Sequence, residues 1–170
     1  GIFWPSMGVT SKKLIGLLDS NDLELRLCAI RVISELGINS SQVIHNLARS
    51  LREEPEPLRI LALKGLARLG AREVTEMVVP MVLESGALRD YALQVVTAVG
   101  APAVSQLKSL YGGADFHGKR AIASALSQIG GRPAFDFLLG VLPQEPFELQ
   151  KHLTRCLCES LDGMAPALQQ

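Results

Sequence analysis

A twelve-residue segment that closes on glycine recurs without gaps along this chain: RLCAIRVISELG at 26–37, RILALKGLARLG at 59–70, RDYALQVVTAVG at 89–100 and KRAIASALSQIG at 119–130. The closing glycines, Gly37, Gly70, Gly100 and Gly130, lie 33, 30 and 30 residues apart, and a fifth, degraded copy, QKHLTRCLCESL, occupies 150–161. A period of this length marks a repeat architecture. A unit so short cannot bury its apolar face alone and must stack on copies of itself.

Each copy reads as a helix. Eight, five, four and one residues before the closing glycine, the side chains are apolar or small: Ala29, Val32, Ile33 and Leu36; Ala62, Gly65, Leu66 and Leu69; Ala92, Val95, Val96 and Val99. That spacing lines one face of a 3.6-residue helix and predicts that this face is buried. Between the copies lie shorter amphipathic segments, at about 11–18, 41–52, 72–83, 101–111 and 132–142. Val43, Ile44, Leu47 and Leu51 form one apolar stripe, and Val104, Leu107 and Leu110 another. Pro102 and Pro133 suit a first helical turn, where the missing N–H costs nothing. Asp22, Glu56 and Asp115 place a negative charge near the starts of the second helices. The unit is therefore helix A, a tight turn, helix B and a glycine. Apolar residues make up 48% of the chain and aromatics only 5%, so Leu, Ala, Val and Ile must build the core, which suits closely packed helices. The prediction is an all-α single domain over 1–170 with about five antiparallel hairpins, at about 10–37, 40–70, 71–100, 101–130 and 131–161.

The motif R-x-x-A-(I/L)-x-x-(V/L)-x-x-(L/I)-G of the B helices, with APAVSQL at 101–107 as an A-helix opening, resembles the short HEAT-like repeats of bacteria, also called PBS-lyase HEAT-like repeats. The resemblance covers residues 10–161. It implies an α-solenoid, a HEAT-like superhelix whose B helices line the concave face, and a scaffold for varied partners in place of a catalyst. It also implies a ladder between neighbouring repeats, in which the column Arg26, Arg59, Arg89 and Lys119 meets the acids Asp22, Glu56, Glu84 and Asp115. On the concave face, six residues before the closing position stand Arg31, Lys64, Gln94, Ser124 and Arg155. Two before it stand Glu35, Arg68, Ala98, Gln128 and Glu159. The candidate partner-binding residues are Arg31, Lys64, Arg68, Gln94 and Arg155, with Arg31, Lys64 and Arg68 forming a modest basic patch.

Charge and motifs narrow the function. Lys plus Arg and Asp plus Glu are both 17, a neutral balance that argues against wholesale nucleic-acid binding. Cys156 and Cys158 are two apart and point apart on a helix, so they cannot clamp a metal as a CxxC pair does. With Cys28 they read as reduced, buried thiols. His45, His117 and His152 form no HExxH motif, and no serine sits in a GxSxG turn. The GxxxxGK string at 113–119 lacks the following Ser or Thr of a phosphate-binding loop and follows a helical segment, so it reads as a hairpin turn. No cofactor, metal or catalytic residue is expected. The N-terminal residues lack a signal-peptide pattern, and no run approaches the ~18 apolar residues that span a bilayer, which predicts a cytoplasmic protein. Phe3, Trp4 and Pro5 are read as a fold-back cap on the first hairpin, or else as an anchor beside a membrane segment outside the sequence. Thr154 and Ser160 suggest a terminal capping repeat or, equally, a repeat array that continues beyond the sequence, and 165–170 a frayed tail or linker. The favoured function is a protein-binding scaffold. The alternatives are a nucleic-acid-binding HEAT-like protein, or an accessory module of a larger membrane-anchored or enzymatic protein, such as the bilin lyases that share the repeat name.

Overall fold

The computed structural model describes residues 7–53, 55–70 and 72–168; the aromatic opening around Trp4 lies outside them. Among the described residues the chain is all-helical, with no strand. The helices are α1 (Met7–Leu17), α2 (Leu23–Glu35), α3 (Ser41–Glu53), α4 (Glu56–Leu69), α5 (Thr75–Val78), α6 (Gly86–Val99), α7 (Val104–Tyr111), α8 (Phe116–Ile129), α9 (Arg132–Val141) and α10 (Phe147–Leu168). The five predicted B helices are α2, α4, α6, α8 and α10. No described helix is long and apolar enough to cross a membrane.

Local chemistry sets the helix ends. Asp22 Oδ1 accepts from the backbone N–H of Glu24 (2.9 Å) and Leu25 (3.2 Å). Asp115 Oδ1 accepts from that of Gly118 (2.7 Å). These are N-caps of α2 and α8. Gly70 ends α4 at φ +60°, ψ 37°, its N–H returned to the Leu66 carbonyl; a side chain there would meet the left-handed penalty that glycine avoids. The third A segment departs from the expected single helix. It is a 3₁₀ turn at Arg72–Val74, the four-residue α5, and a 3₁₀ stretch at Val79–Leu83. Pro80 explains the break, since it lacks an N–H and its ring crowds the carbonyl four residues earlier. At the other end α10 continues to Leu168, so the expected frayed tail is largely helical backbone.

Two compact units meet in sequence between Val74 and Thr75. In the first, α2 packs on α1 and α4, and α3 packs on α4, around Ile30, Ile33, Leu47, Leu58, Leu63 and Leu66. In the second, α8 packs between α6 and α10, with α7 and α9 also against it, around Ala92, Leu107, Ile122, Leu126, Leu138 and Leu153.

Successive B helices cross where side chains are small. A Cβ on Gly65 of α4 would lie 2.5 Å from Ser34 Oγ of α2. In the second unit Ser127 Oγ of α8 donates to the Cys156 carbonyl of α10 (2.9 Å). In both cases the residue three before one closing position meets the residue five before the next. This explains one departure from expectation. Val32 and Leu36 are exposed, because α2 has no B helix before it among the described residues to cover the face that Gly65 and Cys156 turn toward a neighbour. The polar Ser160, expected to mark a cap, is buried and bonded to Ser127 (3.5 Å).

Candidate binding surface on the B helices

The repeated basic column turns inward to the frame. Arg59 Nε donates to the Leu51 carbonyl (3.1 Å), and Arg89 Nε to that of Val82 (3.0 Å). Gln150, at the same position of the fifth copy, donates to the Leu142 carbonyl (3.2 Å). Each tie runs from a B helix to the end of its own A segment, where carbonyls lack intrahelical partners and donors are favoured. At Lys119 the column does reach the next repeat, but through an acid other than the expected Asp115. Lys119 Nζ bonds Glu145 Oε1 (2.9 Å) and Oε2 (3.2 Å), just before α10, while Asp115 is occupied as an N-cap. Lys119 is a point charge on a flexible stem and lacks the fork of arginine. It also sits 5.2 Å from the Tyr111 ring centre. Burial, reinforced by the Glu145 charge, pushes the Tyr111 phenol well above its ordinary range. With Lys119 committed to Glu145 at the start of a helix that follows α7, the GxxxxGK string is a hairpin turn.

The five partner-binding candidates are all exposed. In the first unit Arg31 stands on α2 and Lys64 and Arg68 on α4. Arg68 Nη1 is paired to Glu35 Oε1 of α2 at 2.7 Å, which offsets part of the basic patch. Beside Lys64 lies a recess of about 530 Å³ lined by Leu27, Glu56, Pro57, Ile60, Leu61 and Lys64: an apolar floor with charges at its rim. In the second unit Gln94 stands on α6 and Arg155 on α10. Thr97 and Gln128 bond side chain to side chain between α6 and α8 (3.3 Å).

Arg155 belongs to a group that sequence spacing did not gather. A recess of about 160 Å³ between α8 and α10 is lined by Phe116, Arg120, Glu148, Lys151, His152 and Arg155. The signal was present ten residues before the closing positions, where Leu27 and Ile60 of the first unit give way to Arg120 and Lys151. Arg120 lies 5.8 Å from the Phe116 ring centre and Lys151 Nζ 4.9 Å from that of Phe147, within cation–π range.

His152 Nε2 lies 3.1 Å from Ser124 Oγ, 3.1 Å from the Arg120 carbonyl and 3.5 Å from Cys156 Sγ. A carbonyl only accepts, so the proton belongs on Nε2. Nε2 then donates and cannot act as a base toward Ser124, and burial pushes the Cys156 thiol up to about 11. The cluster therefore joins two helices and activates no nucleophile. Contrary to the expectation of buried thiols, Cys28 and Cys158 are exposed and only Cys156 is buried. No group of three or more His, Cys, Asp or Glu that could hold a metal occurs among the described residues.

No protein-family model matches the chain, and no curated protein matches it. Among solved structures it is similar to the crystal structure of an engineered protein, a Northeast Structural Genomics Consortium target. The two share 19% identity over 93% of this chain and 85% of that one, with a TM-score of 0.54. At that identity the likeness is one of fold.

Proposed function

We propose that the chain is a HEAT-like α-solenoid of about five stacked antiparallel hairpins and serves as a non-catalytic cytoplasmic scaffold, holding a protein partner along the face of its B helices. The observation that carries this reading is the surface of α2 and α4, where an apolar floor of Leu27, Ile60 and Leu61 is rimmed by Lys64 and Glu56, with Arg31 and Arg68 exposed on the same two helices. An apolar centre inside a charged rim is the anatomy of a protein interface. The close crossing at Gly65 and Ser34 fixes the two helices, so the surface is preformed and loses little entropy on binding.

The test is affinity capture from a native lysate with wild type beside an Arg31→Glu/Lys64→Glu/Arg68→Glu variant, matched for circular dichroism and melting temperature. A protein held by wild type and lost from the variant supports the reading. Equal capture by both moves the site off this face, and no capture by either removes the scaffold reading.

A further inference from the structure

We propose that the recess between α8 and α10 is a phosphate site, taking a phosphate monoester through Arg120, Arg155 and Lys151. As a contact for a phosphorylated side chain of the partner, it deepens the scaffold reading and rests on it.

Three cations and one carboxylate, Glu148, line this recess together with Phe116 and His152. Glu148 is taken up by Lys151, at 3.1 Å along the same helix. Neither Arg120 nor Arg155 has an ion pair among the described residues. Nearby Glu159 is close enough to raise the pKa of His152 without joining either arginine. Two guanidiniums from facing helices, with an ammonium beside them, match a doubly charged oxyanion, and each planar fork can bond two of its oxygens. Lys151 and Arg155 are four apart on α10 and so share a face. At about 160 Å³ the recess is smaller than the roughly 300 Å³ at which small-molecule pockets begin, so it suits a single functional group presented by something larger. The exposed ring of Phe147, beside Lys151, and that of Phe116 offer apolar contact for the chain carrying the group.

A reporter is built in. Burial, with the charges of Arg120 and Arg155 adding to it, holds His152 below its ordinary pKa, against the hydrogen bond to the Arg120 carbonyl and the charge of Glu159. A dianion beside the arginines offsets their charge, so occupancy must raise the His152 pKa.

The experiment is an NMR titration of the His152 ring in the full chain at constant ionic strength, with three probes: inorganic phosphate, a capped phosphoserine peptide, and acetate. Expected are saturable shifts with both phosphates, an upward move of the His152 titration, and weak or no response to acetate. Arg120→Gln/Arg155→Gln should weaken phosphate binding at least about tenfold, with Arg120→Lys/Arg155→Lys in between, since charge remains and the fork is lost. Tighter binding of the peptide assigns the site to a partner side chain, and equal binding assigns it to a free phosphate compound. An unsaturable response in wild type, or unchanged binding in the glutamine variant, overturns the site. So does a short single-stranded oligonucleotide that binds through these residues while the phosphopeptide does not. None of these residues is altered in the capture experiment above. Phosphate binding without protein capture therefore removes only the scaffold, and capture without phosphate binding removes only the recess.

Discussion

Among the described residues three ion pairs link successive repeats, Asp19–Arg49 and Glu35–Arg68 in the first unit and Lys119–Glu145 in the second, and the last two differ in burial. In the first unit Glu35 and Arg68 meet at 2.7 Å with 62% and 52% of their side chains exposed. In the second Lys119 and Glu145 meet at 2.9 Å with 23% and 9% exposed. The separations are nearly the same and the energetics are not. Water screens the first pair and already solvates each partner when the other is gone. The second has little water to fall back on, so removing one partner strands a charge. The same repeat frame thus supports a surface contact in one unit and a structural member in the other.

The largest effect expected is at Lys119. Lys119→Met leaves the Glu145 carboxylate without its cation and should cost about 3–5 kcal/mol in urea unfolding, while Lys119→Met/Glu145→Gln should recover much of that loss. A cost near that of an exposed pair would break the comparison. Next comes the crossing of α2 and α4. Gly65→Val drives a side chain into Ser34 and Leu47 and should cost about 1–3 kcal/mol. Gly140→Ala in α9, where an added Cβ meets nothing within 4 Å, should gain about 0.5–1 kcal/mol. Equal effects at the two glycines would deny that the crossing is tight.

The pH dependence sharpens the second unit. His152 has a lowered native pKa, so the folded state binds protons less readily than the unfolded chain. Its contribution is fully present above the ordinary histidine pKa and is lost as pH falls through that range toward the native value. His152→Gln should flatten this part of the stability curve, and an unchanged curve would assign the dependence elsewhere. The smallest effect is expected at Glu35 and Arg68, where a double-mutant cycle should give less than about 1 kcal/mol and shrink further in high salt.

The helices were legible in the sequence because period and punctuation agree: apolar positions at helical spacing end on glycines that can turn left-handed. Pro80 was equally visible, yet the apolar run around it suggested one helix, and only the missing N–H divides it. The basic column was legible as a column and not as a set of bonds. Arg59 and Arg89 reach carbonyls of their own hairpins, which is a matter of reach and rotamer that spacing does not encode. Gln150 stood outside the basic column because the fifth copy, though in register, carries a glutamine at that position and no closing glycine, and Glu145 lies before that copy. The recess of Arg120, Lys151, His152 and Arg155 combines residues about 30 apart, and it takes shape only where α8 and α10 are seen to pack. Among the proposed contacts, Arg31, Lys64, Arg68, Gln94 and Arg155 were readable as exposed. That Arg68 spends its charge on Glu35 was not.

The placement of the thiols has a practical consequence. Cys28 and Cys158 are open to solvent, one in each unit, and Cys156 is buried with its thiol held protonated. The unaltered chain therefore carries a natural pair of attachment points for donor and acceptor dyes. Energy transfer between them would follow the spacing of the two units in solution, with and without a bound partner, and no engineered cysteine would be required.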